Sequence, residues 1–112
     1  TVLSQDAVGG LQLQRPNGDW VEVPPVAETF VVNVGDLLHR WSNHRFHSTP
    51  HRVVNFSGRE RLSLVLAYDP NFETVVDPRA FCRHGETPAA EKTTCGDYLL
   101  WRFEKAFSYR RT

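Results

Sequence analysis

Three side chains whose types suit metal and anion binding stand close together in the middle of the chain. His51 follows Ser48-Thr49-Pro50, and Arg61 and Ser63 come shortly after it. An imidazole is a common ligand of divalent transition metals. A guanidinium next to a hydroxyl suits a carboxylate, which arginine can bind through two parallel hydrogen bonds. A metal ligand beside a carboxylate clamp is the minimum apparatus of a metal enzyme that uses an acidic cosubstrate.

The segments that must position these residues have the composition of two β-strands, His44 to Val54 and Arg61 to Tyr68. A turn at Asn55-Phe56-Ser57-Gly58 joins them, so we expect the strands to be neighbours. Alternate residues of a strand share a face, which puts Arg61 and Ser63 on one side. Burying a guanidinium without an anionic partner is costly. An inward Arg61, with His51 facing the same interior, therefore implies a carboxylate ligand.

Four of the five histidines lie between positions 39 and 51, and three of them, His44, His47 and His51, could be mistaken for a zinc set. Strand alternation would place His47 and His51 on one face and His44 on the other. The pattern also lacks the cysteine or carboxylate ligands of closed zinc sites. We interpret the four other than His51 as structural or surface histidines: His39, His44, His47 and His84.

Beyond Arg61, the same strand face would carry Val65, Ala67 and Asp69, which could line a pocket for a second substrate. The alternative for Asp69 is a turn residue that ends the strand before Pro70.

The spacing of His51 and Arg61-Leu62-Ser63 resembles the distal-histidine and Arg-x-Ser motifs of the iron(II)- and 2-oxoglutarate-dependent oxygenases, in the isopenicillin N synthase-like branch. Family-like segments also occur elsewhere in the chain: Val32-Asn33-Val34-Gly35-Asp36, Trp41-Ser42-Asn43, Arg45-Phe46, and Tyr98-Leu99-Leu100-Trp101-Arg102-Phe103. One departure matters. The family's iron site also needs an upstream His-x-Asp pair, and this chain does not contain one.

The resemblance implies that His51 binds iron(II) and that Arg61 and Ser63 bind the distal carboxylate of 2-oxoglutarate, with ascorbate as an accompanying reductant. It implies a mainly β fold, the second half of a double-stranded β-helix (jelly roll) with a C-terminal α-helix. Residues 1–112 would be the C-terminal part of a catalytic domain, with jelly-roll strands in 1–70 and a loop and helix in 71–112. Without the His-x-Asp pair, we expect the chain alone to be inactive towards the small organic substrate of such a dioxygenase.

The periodicity predicts the remaining elements. A strand over Thr1 to Gln5 would be followed by a hairpin of Leu11 to Gln14 and Trp20 to Val23, since Asn17-Gly18 is a strong hairpin signal. A further strand is expected over Phe30 to Val34.

Two helical segments are also predicted. A short helical turn would begin at Asp36. Thr94 with Asp97 is typical of a helix N-terminus, and it precedes an apolar stripe at helical spacing: Leu99, Phe103, Ala106 and Phe107.

Length, charge balance and cysteine content limit the kinds of protein that this chain can be. The 112 residues amount to one domain, and 13 basic residues balance 13 acidic ones, which argues against a nucleic-acid partner. No apolar run is long enough for a membrane span. The two cysteines, Cys82 and Cys95, could pair, but we expect two reduced thiols, which favours a cytoplasmic location.

Two other hypotheses remain open. The chain could be a non-catalytic β-domain that self-associates through exposed strand edges. A cupin-like metal binder or isomerase is a more distant alternative, because the chain has no ligand cluster of that kind.

Overall fold

The computed structural model describes residues 1–107, which form two compact units. The first unit consists of Thr1–Gly35 and Ser48–Tyr68, and the second of Asp36–His47 with the described residues from Asp69 onwards. The last five residues of the predicted C-terminal segment lie outside the described part.

The elements are short. In chain order they are β1 (Val2–Gln5), β2 (Leu11–Gln14), β3 (Trp20–Glu22), β4 (Val31–Val32), α1 (Asp36–Trp41), β5 (His51–Val53), β6 (Ser63–Leu66), β7 (Val75–Val76), a 3₁₀ helix (Pro78–Phe81), β8 (Thr93–Thr94) and α2 (Cys95–Ala106).

The first unit contains two antiparallel three-stranded sheets, ordered β4-β1-β6 and β3-β2-β5. The prediction that β5 and β6 are neighbours is therefore wrong. Each strand satisfies its backbone groups on a distant partner, since His51 pairs with Leu13 and Ser63 pairs with Gln5. The turn after β5 changes the direction of the chain, but it does not decide which strand is paired next.

The predicted strand over His44 to Val54 is also wrong in its first half. After α1 the backbone enters the left-handed region at Asn43 (φ 52°) and His44 (φ 65°), which breaks any strand. Ser42 is buried and its hydroxyl accepts a hydrogen bond from the Phe46 amide at 3.0 Å. The strand begins only at His51, so strand alternation does not govern His44 and His47.

The predicted hairpin is confirmed. β2 and β3 pair around a turn in which Gly18 has φ 93° and the Asn17 side chain accepts a hydrogen bond from the Asp19 amide at 3.0 Å. Gly18 is the residue that such a backbone favours, since it has no Cβ to crowd the turn.

The second unit is built around a small apolar core of Leu37, Val76 and Cys95. The predicted start of the C-terminal helix is confirmed, because the Thr94 hydroxyl accepts the Asp97 amide at 3.1 Å as the N-cap of α2. The predicted helical turn at Asp36 is α1. The sequence reasoning missed β7, β8 and the 3₁₀ helix.

Two observations bear on the expectations about the cysteines and about membrane spans. Cys82 and Cys95 are both free thiols. Within residues 1–107, no helix combines the length and the apolarity that crossing a membrane requires.

Candidate functional site

The guanidinium of Arg61 is partly buried and is held on three sides by residues of the first unit. Its Nε donates to the Gly9 carbonyl at 2.9 Å, and its Nη2 donates to Gln5 Oε1 at 3.0 Å. The third contact joins Nη1 to the Ser63 hydroxyl oxygen at 3.3 Å. The structure thus brings together Arg61 and Ser63, as the sequence predicted.

The segment between β1 and β2 positions Arg61 by forming hydrogen bonds to its neighbour Leu62. Asp6 and Leu62 exchange two hydrogen bonds: the Asp6 amide donates to the Leu62 carbonyl at 3.1 Å, and the Leu62 amide donates to Asp6 Oδ2 at 2.7 Å. The other carboxylate oxygen of Asp6 accepts the Val8 amide at 3.0 Å. The Leu62 and Val8 N–H groups lower the pKa of the Asp6 carboxyl, because they stabilise its charged form.

Two glycines let this segment approach the site. Gly9 has φ 79° and Gly10 has φ 99°, values that side chains bearing a Cβ rarely adopt. A Cβ on Gly10 would stand 2.5 Å from the Val54 carbonyl oxygen. The glycine pair thus allows the chain to turn beside the residue that follows β5 while the Gly9 carbonyl reaches Arg61.

Arg61 forms no ion pair with a carboxylate among residues 1–107, since none of the three ion pairs found there includes it; the Asp6 carboxylate attracts it from a longer distance. A guanidinium has five N–H donors, one on Nε and two on each terminal nitrogen. With the three contacts above, one N–H remains on Nη1 and one on Nη2. Two N–H groups, one on each terminal nitrogen, are the number that bidentate binding of a carboxylate requires.

A hydrogen bond at one ring nitrogen of His51 leaves the other ring nitrogen available. Its Nδ1 lies 3.2 Å from the Thr49 carbonyl oxygen, which can only accept, so Nδ1 carries the proton in this contact. The lone pair of the neutral ring is then on Nε2. A backbone carbonyl that fixes the tautomer in this way is a common support of metal-binding histidines. The side chain is exposed and therefore accessible to a metal.

His51 and Ser63 each lie on the face of their sheet that carries a buried leucine, whereas Arg61 precedes β6, so the predicted strand begins at Ser63 and not at Arg61. In one sheet, cross-strand pairing puts His51 on the side of Leu13 and the buried Leu11, which is 1% exposed. In the other, Ser63 lies on the side of Leu3, which is 7% exposed. Within residues 1–107, no hydrogen bond joins His51 to Arg61.

The remaining histidines were interpreted as structural or surface residues, and the structure shows ring contacts among three of them. The rings of His39 and His44 stack with centroids 4.1 Å apart, and His47 lies 5.8 Å from His39. Nevertheless, the part of the chain that the structure describes contains no group of three histidine, cysteine or carboxylate ligands able to hold a metal. His84 is exposed.

The residues predicted to line a substrate pocket, Val65, Ala67 and Asp69, are all exposed, and their role stays a prediction. A cleft of about 270 Å³ lies beside the glycine pair instead. It is lined by Val8, Gly9, Gly10, Glu22, Val54, Asn55, Phe56 and Ser57. The sequence reasoning also missed Gln5, Asp6 and Gly9, which hold the Arg61 segment.

Comparison with known proteins decides the family. The family model of the 2OG-Fe(II) oxygenase superfamily matches residues 1–70, more than half of the chain. The chain belongs to the 2OG-Fe(II) oxygenase superfamily. The predicted family resemblance is thereby confirmed.

Similar members of this superfamily include plant and amoebal proteins. A homoarginine-6-hydroxylase of Oryza sativa subsp. japonica is 39% identical over 103 residues, which cover 89% of this chain and 31% of the relative. A probable iron/ascorbate oxidoreductase of Dictyostelium discoideum is 52% identical over 75 residues, covering 66% of this chain and 20% of the relative.

A solved structure with the same chain path is that of a full-length Neurospora crassa protein in complex with alpha-KG. It matches with a TM-score of 0.81 and 37% identity, covering 92% of this chain and 34% of the Neurospora protein. The predicted fold class, a double-stranded β-helix with a C-terminal helix, is confirmed by this likeness. The chain spans about a third or less of the length of these oxygenase relatives.

Proposed function

We propose that this chain supplies the cosubstrate clamp and one iron ligand of an iron(II)- and 2-oxoglutarate-dependent dioxygenase that oxidises a small organic molecule. The observation that carries the proposal is the Arg61 guanidinium, which is partly buried, hydrogen-bonded to Ser63 and forms no ion pair with a carboxylate among residues 1–107. Family membership supports the choice of 2-oxoglutarate as its anion.

Each residue has a distinct part in this function. Arg61 would hold the distal carboxylate of 2-oxoglutarate through its two remaining terminal N–H groups, and Ser63 would donate its hydroxyl hydrogen, since its oxygen already accepts from Arg61. His51 would bind iron through Nε2. The chemistry that bound iron and 2-oxoglutarate supply is oxidation of a C–H bond coupled to decarboxylation of the cosubstrate to succinate.

The proposal includes a limit on what the chain does alone. A facial iron site uses two histidines and one carboxylate, whereas no such group of three ligands is found in residues 1–107. We therefore propose that two further ligands complete the site in the working enzyme. With iron(II) and 2-oxoglutarate, the chain alone should form no succinate, and robust succinate formation would overturn this part of the proposal.

The experiment that tests the clamp is a titration of the chain with 2-oxoglutarate, followed by NMR because weak binding can be measured this way. The parent should bind, and Arg61→Ala should weaken binding about tenfold or more, since it removes a charge-assisted bidentate contact. Arg52→Ala is the matched control: Arg52 also donates to a glutamine, Gln12 Oε1 at 2.8 Å, but it lies on the opposite face of its sheet from His51. Equal binding by the parent and Arg61→Ala would refute the clamp.

A second function is favoured by the apolar side chains on one face of the β4-β1-β6 sheet. Val32, Leu64 and Leu66 share that face and are 72%, 69% and 60% exposed. Contiguous apolar surface of this kind marks interaction sites. A self-associating, non-catalytic domain is therefore the alternative. Gel filtration would support it if the chain formed a stable dimer that does not bind 2-oxoglutarate.

Two expectations stay proposals. Ascorbate as a reductant is supported by the name of the Dictyostelium relative, and restoration of activity by ascorbate in the completed enzyme would test it. A cytoplasmic location rests on cysteine usage alone, and imaging of a tagged protein would test it.

A further inference from the structure

Arg61 of the carboxylate clamp is supported by a neutral residue, Gln5, at a position where a glutamate of the same length would also fit. Gln5 is the last residue of β1, and it lies directly across from Ser63 in the β1–β6 pairing. Its Oε1 accepts from Arg61 Nη2 at 3.0 Å. Because a guanidinium can only donate, the side-chain atom that faces it must be the amide oxygen.

We propose that Gln5 is a positioning and selectivity residue, which orients the Arg61 guanidinium without forming an ion pair with it, so that its charge can bind an incoming carboxylate. The inference rests on the proposed function, since it assigns to Gln5 a role in the same carboxylate clamp. The ligand class that it selects is a compound with an ionised carboxylate at the end remote from the metal.

The electrostatic argument follows from the neighbours of Arg61. The Gly9 carbonyl, the Ser63 hydroxyl and the Gln5 amide are all neutral acceptors. Asp6 is close in sequence, but each of its carboxylate oxygens accepts a backbone N–H, from Val8 and from Leu62. Arg61 is therefore oriented by hydrogen bonds to neutral groups and not by an ion pair, and the Asp6 carboxylate attracts it only from a longer distance.

A glutamate at position 5 has the same length as glutamine and can accept the same hydrogen bond. Its charge would pair with Arg61 internally, so Gln5→Glu should keep the fold and lose the ligand. We expect the unfolding free energy of Gln5→Glu to equal or exceed that of the parent, while its affinity for 2-oxoglutarate falls about tenfold. A residue with a purely structural role would move both quantities in the same direction.

The chain provides a matched control in a second glutamine–arginine pair. Gln12 Oε1 accepts from Arg52 Nε at 2.8 Å, and the Arg52 guanidinium lies 4.0 Å from the Trp20 ring centroid. Gln12→Glu creates the same kind of ion pair away from the clamp. It should leave the affinity for 2-oxoglutarate unchanged.

The experiment is an NMR titration of the full chain, as parent, Gln5→Glu, Gln12→Glu and Arg61→Ala, with urea unfolding of each. The probes are 2-oxoglutarate and 2-oxobutyrate, which lacks the distal carboxylate. The parent should prefer 2-oxoglutarate, and Gln5→Glu should lose most of that preference. Gln5→Asn is neutral but one methylene too short to reach Arg61, so it should weaken binding about threefold. If Gln5→Glu fails to fold, this variant tests whether Gln5 positions Arg61.

The outcomes separate this inference from the proposed function. If Arg61→Ala weakens binding but Gln5→Glu binds like the parent, the role of Gln5 is refuted and the clamp stands. If Gln5→Glu fails to fold and Gln5→Asn binds like the parent, the role is likewise refuted. If the parent shows no preference for 2-oxoglutarate and Arg61→Ala binds equally, both proposals are overturned.

Discussion

The glycine pair beside the clamp gives a prediction whose size can be worked out from the structure. Gly10 has φ 99°, and a Cβ built on it would lie 2.5 Å from the carbonyl oxygen of Val54. Gly18, in the hairpin turn, has a similar φ of 93°, but nothing lies within 4 Å of its Cβ position. The two sites therefore differ mainly in the steric contact.

Replacing either glycine with alanine imposes a backbone conformation that costs about 1–2 kcal/mol. At Gly10 the clash must also be relieved by moving the backbone after β5. That movement strains the 2.9 Å hydrogen bond from the Val54 amide to the Gly10 carbonyl, and overpacking of this kind adds about 1–3 kcal/mol. We expect Gly10→Ala to destabilise the chain by about 2–5 kcal/mol and Gly18→Ala by about 1–2 kcal/mol.

Urea unfolding followed by circular dichroism measures the loss of unfolding free energy in each variant. The difference between the two losses is the cost of the clash with the Val54 carbonyl. Gly10→Ala should also weaken 2-oxoglutarate binding, because it displaces the neighbouring Gly9 carbonyl that holds Arg61 Nε. The reasoning is refuted if Gly10→Ala costs no more than Gly18→Ala.

Three further predictions concern a cap, a titrating group and a thiol. Thr94→Ala should cost about 1 kcal/mol by removing the N-cap of α2; thermal unfolding measures this, and Thr94→Ser should restore stability. The pKa of Asp6 is lowered on folding, so its contribution to stability is present above its ordinary pKa of 3.8 and is lost as the pH falls through the folded-state pKa. Asp6→Asn should therefore make the unfolding free energy less dependent on pH in that range. An unchanged pH dependence would contradict the stabilising role of the Asp6 carboxylate. Burial raises the pKa of the Cys95 thiol, so a thiol reagent should label Cys82 first in the folded chain, whereas equal rates would argue against a closed core.

The sequence was most informative where local chemistry decides the structure. Asn17-Gly18 predicted the hairpin and Thr94 predicted the start of α2, because a turn and a cap involve residues only a few positions apart. Arg61 and Ser63 are likewise only two positions apart and are in contact, although β6 begins at Ser63 and Arg61 precedes the strand.

The pairing of strands that are far apart in the chain could not be predicted from the sequence. β5 and β6 join different sheets because they hydrogen-bond to β2 and β1, and the turn between them contains no information about those partners. β7 and β8 have two residues each, too few for any periodicity. Gln5 is a single polar residue at the end of a strand, so its contact with Arg61 becomes visible only in three dimensions.

The interleaving of the two units along the chain has a consequence for how the protein is made. The six-residue helix α1 is too short to persist alone in water, and its buried Leu37 packs against Val76 and Cys95. During synthesis on the ribosome, Leu37 therefore emerges well before the residues that cover it. Until residue 95 has left the ribosome, Leu37 lacks the apolar neighbours that bury it in the folded chain, and transiently exposed apolar side chains of this kind favour aggregation.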